Sequence, residues 1–240
     1  MELFGDDIEV FCPVLRTPDI GNIGTLCCRD GEYPEAVRAL AFNGAEVVYR
    51  PGEAVRMTTA GSDADGTWLL QNRAHAHFDG LYTVYPSTGP VCSSPAVEHP
   101  ADIAGGKGHV VACCARVIRQ ARSGTNAVTA APVDIEALRR YRLRNLNPNR
   151  LKDIRTELFR RLHDRPIHPA NLWLDRESGR HAEVDDVCRA NTERLVQQRT
   201  YAESVHHFPG KRRPGHRRGP WATAMAPTVV APDCGRKEAR

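Results

Sequence analysis

The stretch GTLCCRDGEYPEAVRALAFNGAEVVYRP, residues 24–51, decides the fold class. With Ile23 in front it opens as a short apolar strand, IGTLCC, over 23–28. Asp30-Gly31 then signals a tight turn. Pro34 suits the first position of a helix, where its missing N–H costs nothing. Val37, Leu40, Ala41 and Gly44 fall at i, i+3, i+4 and i+7, so one helical face is small and apolar. Gly44 stops that helix. AEVVYR (45–50) reads as a buried strand ended by Pro51-Gly52. A strand–turn–helix–strand unit predicts parallel pairing and an α/β fold.

Outward from this unit the pattern repeats. Residues 8–16 (IEVFCPVLR) read as a strand that Pro13 pushes to an edge. Residues 53–66 are a loop, 67–79 (TWLLQNRAHAHFD) a second helix, and 81–86 (LYTVYP) the next strand. A Ser/Pro/Gly loop over 87–107 precedes a predicted hairpin over 109–121 and a further strand over 126–134. Helical periodicity then takes over at 135–146, about 150–163 and 182–198, with an extended connector over 166–181. The expected organisation is a domain over 1–145, a helical extension over 146–210 and a disordered basic tail over 211–240.

Composition excludes several classes. The chain has 240 residues, 41% hydrophobic and 26% charged, which is ordinary for a globular protein and unlike a collagen or a fully disordered chain. No apolar run reaches the roughly 18 residues of a membrane span. The start, MELFGDDIEV, lacks a basic segment followed by an apolar one, so the expected compartment is the cytoplasm. Residues 211–240 carry eight Lys/Arg against two Asp/Glu, a net of +6 in a chain of net +4, so the remaining 210 residues are at −2. That acidic body argues against nucleic acid as a partner. The basic run RRYRLRNLNPNR (139–150) reads instead as a solvated or contact-making helix.

The eight cysteines are 12, 27, 28, 92, 113, 114, 188 and 234, with no CxxC, and they read as free thiols. His75 and His77 lie two apart on a predicted helix and do not share a face, so no metal is expected. Cys28 stands apart because a cysteine at a strand's end, followed by a turn and a helix, points out of the sheet. The turn's N–H groups can there bind developing negative charge. The ordinary alternative is one more small buried residue.

GTLCCRDGEYPE resembles the nucleophile signature of the nitrilase superfamily, the carbon–nitrogen hydrolases, through Gly24, Cys28, Asp30, Tyr33, Pro34 and Glu35. The Asp-Gly-x-Tyr-Pro-Glu form is most similar to the aliphatic amidase and formamidase branch. The resemblance continues through NRAHAHFDGLYTVYPSTGP, IAGGKGHVVACCARVIRQA and AVTAAPVDIEALRRYR, covering about residues 8–145. It implies an α-β-β-α four-layer sandwich, of which this chain resembles the second half, and a homo-oligomer that uses no cofactor. It implies a Glu–Lys–Cys set hydrolysing a small amide or nitrile through a thioester. Cys28 maps onto the nucleophile and the Arg29 backbone N–H onto part of the oxyanion site. Glu53 and Ala54 would line the substrate pocket. In the family both Glu and Lys precede the cysteine. None of the 27 residues before Cys28 is lysine, the first being Lys107, and Glu2 and Glu9 sit in no matching motif. Impaired activity is therefore expected, and the other reading is a non-catalytic subunit completed by a partner.

The tail yields a first expected result. Limited trypsin digestion should cut first between Lys211 and Arg218 and leave the body intact, because Pro, Gly and Arg bury too little to offset ordering entropy. Early cuts within 34–50 with the tail protected would contradict it.

Overall fold

The computed structural model describes residues 8–52, 67–91, 102–103, 106–122, 127–143, 150–164, 167–169 and 181–202. The chain divides into two compact units, 1–191 and 192–240. Everything that follows concerns the first. Glu53, Ala54 and the tail 211–240 lie outside the described residues.

The N-terminal segment corrects the expectation of a strand over 8–16. Ile8–Phe11 is a helical turn, α1, and the strand β1 begins only at Val14 and runs to Thr17. Pro13 explains the break: it lacks an N–H and turns Cys12 away from helical angles. β1 pairs antiparallel with β2 (Gly21–Thr25). The turn between them needs Gly21 at φ +87.

The helix after Pro34 forms as read. α2 spans Pro34–Phe42 and buries Ala36, Val37, Leu40 and Ala41, the small apolar face of the sequence. β3 (Val47–Tyr49) returns parallel to β2, with Ile23 opposite Val47. The next helix, α3, spans Thr67–Asp79, as the sequence predicts. β4 (Tyr82–Tyr85) is again parallel, with Val47 opposite Tyr82. Within the expected loop 87–107, β5 (Pro90–Val91) and β6 (Asp102–Ile103) form a separate short antiparallel pair. β7 (His109–Val111) and β8 (Val117–Gln120) make the expected hairpin and join the main sheet through β4. The six-stranded order is β1-β2-β3-β4-β7-β8, an α/β sheet with a parallel centre and antiparallel flanks. The strand expected over 126–134 is not one: 127–134 is extended without a ladder, and Pro132 has no N–H to give.

Alternation along β3 divides the core. Val48 faces Val37, Leu40, Ala45, Leu26 and Leu81. Val47 faces the other way, onto Tyr82, Ala112 and Leu138. Leu138 belongs to α4, Ile135–Leu143. Here the basic run explains itself. Arg139 donates to both carboxylate oxygens of the buried Glu46, at 2.7 and 3.1 Å, and Arg142 donates to the carbonyls of Gly80 and Ala45. Burial alone would raise the Glu46 carboxyl, but Arg139 and the Asn22 N–H outweigh it and hold it below its usual range. Two of the arginines serve the fold, as a contact-making helix requires. Beyond them lie a short turn at Leu151–Asp153, then α5 (Thr156–His163) and α6 (His181–Gln197).

Candidate active site

Cys28 sits at the first residue of a tight 3-10 turn, Cys28–Glu32, three residues beyond the end of β2. The backbone stays beside β3 after the ladder ends: Leu26 N–H donates to Tyr49 O at 3.1 Å and Cys28 N–H to Pro51 O at 2.6 Å. The chain then turns sharply. Cys28 takes φ +47, the left-handed region that a side-chain-bearing residue adopts only under constraint. A cysteine elbow between strand and helix presents its thiol at the rim of the sheet. The thiol is partly exposed, whereas Cys12 is buried and Cys27, Cys114 and Cys188 are exposed.

Three successive amides line the elbow. Cys28 N–H is taken by Pro51, and Asp30 N–H donates to Cys27 O at 2.9 Å. The Arg29 N–H between them has no backbone acceptor among the described residues. The Arg29 side chain is 78% exposed and turns away, its Nε 3.8 Å from Glu32. A hydrogen bond from Tyr33 raises the Arg29 guanidinium further above its ordinary range. Asp30 anchors the turn by accepting from Cys27 N–H at 3.2 Å.

Sequence reading missed what lies beneath the elbow. Arg50, one residue past β3, is 1% exposed. Its Nε donates to Cys28 O at 2.8 Å, Nη1 to Asn72 Oδ1 at 3.0 Å and Nη2 to Gln71 Oε1 at 3.0 Å. Its guanidinium lies 4.5 Å over the Trp68 ring. Asn72 Nδ2 then meets His109 Nε2 at 2.8 Å, and His109 Nδ1 meets Lys107 O at 3.0 Å. The directions are forced. Asn72 offers its oxygen to Arg50, so its amide donates to His109. Nε2 therefore accepts, and Nδ1 carries the proton that goes to Lys107. Burial pushes His109 down to about 4, so it stands neutral at pH 7. Burial likewise lowers Arg50 and His75 from their ordinary values. His75 Nε2 donates to Gly31 O at 2.9 Å and clamps the turn from its other side.

Tyr85 completes the floor. Its ring stacks between Trp68 (5.7 Å) and His109 (4.9 Å). Its hydroxyl is buried and finds no partner among the described residues. Gly52 permits this: a Cβ there would lie 3.0–3.1 Å from the Tyr85 ring and hydroxyl and 3.5 Å from Cys28 Cα. Beside Tyr85 a cavity of about 130 Å³ is lined by residues that include Ser87, Lys107, His109 and Arg122, but not by Cys28. Among the described residues no three His, Cys, Asp or Glu side chains gather as a metal site, and no helix is long and apolar enough to cross a membrane. A buried arginine closing the apolar strand AEVVYR, with Asn72 on the inner face of α3, was the available signal. It lacked only its partners.

The family profile described as carbon–nitrogen hydrolase matches residues 3–143. Formamidases of Bacillus thuringiensis (strain Al Hakam) and Bacillus cereus (strain B4264) are 29% identical over 72 residues, 30% of this chain and 20% of theirs. Among solved structures, a carbon–nitrogen hydrolase from Helicobacter pylori G27 is similar at TM-score 0.48 and 23% identity, over 61% of this chain and 50% of that one. An amidase of the nitrilase superfamily from Nesterenkonia AN1, solved as a mutant, gives 0.45 and 21%, over 63% and 47%. The chain spans about half the length of these solved proteins, and the match to the formamidases spans a fifth of theirs.

Proposed function

This chain belongs to the carbon–nitrogen hydrolase family, and on that premise we propose that Cys28 is a nucleophile toward a small amide or nitrile. The observation that carries the reading is the elbow: the family's cysteine motif coincides with the one cysteine held at positive φ among the described residues. With an amide, Cys28 Sγ bonds to the carbonyl carbon and the C–N bond breaks. The nitrogen leaves with the thiol's proton as ammonia. Water then cleaves the C–S bond, releasing the acid and restoring the thiol. The Arg29 N–H faces no competing backbone acceptor and suits the tetrahedral oxyanion. Glu53 and Ala54 stay proposed as pocket residues. A cytoplasmic homo-oligomer without a cofactor and the division at about 145 and 210 belong to the same proposal.

A second reading has its own observation. Among the described residues no carboxylate or ammonium is hydrogen-bonded to the Cys28 thiol, so a subunit completed by a partner fits as well. Ammonia release from formamide, acetamide and a small nitrile separates the two. General-base help contributes roughly 10²–10⁴-fold and one oxyanion donor roughly 10²–10³-fold. The chain alone is expected to fall several orders of magnitude below a relative holding both groups, with the residual rate lost in Cys28→Ala. Robust turnover unchanged by Cys28→Ala would overturn the nucleophile. Robust turnover that needs Cys28 would overturn the partner-dependent reading.

A further inference from the structure

A buried guanidinium is costly to desolvate and is ordinarily paired with a carboxylate. Arg50 is 1% exposed, yet its three hydrogen bonds go to a backbone carbonyl and two side-chain amide oxygens. Among the described residues it forms no ion pair, and Asp30 and Glu32 act on it only through space. Two of its five N–H groups find no acceptor among those residues. The charge is thus held by neutral groups, and its shortest hydrogen bond is to the carbonyl of Cys28 itself. That bond also explains the backbone. The left-handed conformation at Cys28 persists because its N–H is tied to Pro51 and its C=O to Arg50.

We infer that Arg50 is the positioning residue of the Cys28 site, fixing the elbow through the Cys28 carbonyl and supplying a buried positive charge beside the thiol. The inference rests on the reading of Cys28 as the nucleophile. It gives this chain a cationic group next to its cysteine although no lysine precedes that residue. An anion that forms at the elbow, thiolate or oxyanion, then meets a preorganised charge in a low-dielectric setting. Arg50 acts through the backbone and through space, while Cys28 makes the bond.

The test is alkylation by iodoacetamide at limiting reagent, with peptide mapping that compares Cys28 with the exposed Cys27 in the same molecule. In the unaltered protein Cys28 is expected to label faster than Cys27. Arg50→Gln is expected to lower the Cys28/Cys27 ratio about tenfold, and Arg50→Lys, which keeps the charge without the fork, about threefold. A merely structural arginine would not show that graded rescue. Protection of the buried Cys12 reports that each variant is folded. Should Arg50→Gln lose that protection, the half-buried Gln71→Leu removes one anchor of the fork instead, and a drop of about threefold is expected. An unchanged ratio in the folded variant overturns the inference while leaving the nucleophile intact. Slower labelling of Cys28 than of Cys27 in the unaltered protein overturns the nucleophile itself.

Discussion

Acidification from 6.5 down to about 4 is expected to remove about 3 kcal/mol of folding stability through His109 alone. Unfolded, the imidazole takes a proton near its ordinary value. Folded, burial holds it down to about 4, so across that window the unfolded state binds more protons. The contribution is complete above the upper limit and is lost as pH falls toward the folded value. His75, also lowered by burial, adds in the same direction. The groups facing His109 are Asn72, Tyr85 and the Lys107 carbonyl, with Arg50 one bond further. Protonating Nε2 would set two N–H donors against each other. Denaturation midpoints measured across the window for the protein and for His109→Gln would decide, since the variant should decline less steeply. Parallel declines would refute the assignment.

Gly31→Ala is the second large effect. An alanine Cβ would lie within 2.5 Å of Arg50 Cδ and Cζ and closer still to Nε. Arg50 cannot step aside without abandoning Cys28 O, Asn72 and Gln71. Overpacking costs about 1–3 kcal/mol, and leaving buried acceptors unpaired adds about 1–3 kcal/mol. Urea unfolding is expected to show a loss of about 3 kcal/mol or more, together with slowed Cys28 labelling. A variant as stable as its parent would show that the turn can open without the guanidinium.

Local signals made much of the fold legible. The Pro34 start, the 37/40/41 face and the Pro51-Gly52 stop gave the β2–α2–β3 crossover, and α3 runs over the residues read for it. Pro13 was read as an edge-strand mark and instead separates a helical turn from a strand, because a short apolar run carries no period of its own. Cys28 was legible from its motif. Its support was not. Arg50 reaches partners 22 residues away in both directions, and Asn72 reaches His109 across 37. Such pairs exist only once parallel strands and a helix have brought the ends of β3, β4 and β7 together.

The hydrogen-bonded line from Arg50 through Asn72 and His109 to Lys107 has a polarity, and one atom sets it. Asparagine at position 72 is acceptor on one side and donor on the other. Asn72→Asp, the product of either a codon change or deamidation, replaces that donor with a second acceptor. The carboxylate would then pair with the guanidinium and call for a proton on His109 Nε2, while Lys107 O still requires one on Nδ1. A neutral imidazole would become an imidazolium in an Arg–Asp–His triad, titrating above its ordinary value instead of far below it. The same fold can therefore carry a silent histidine or a charged one beneath its cysteine, and the amide nitrogen of a single side chain decides between them.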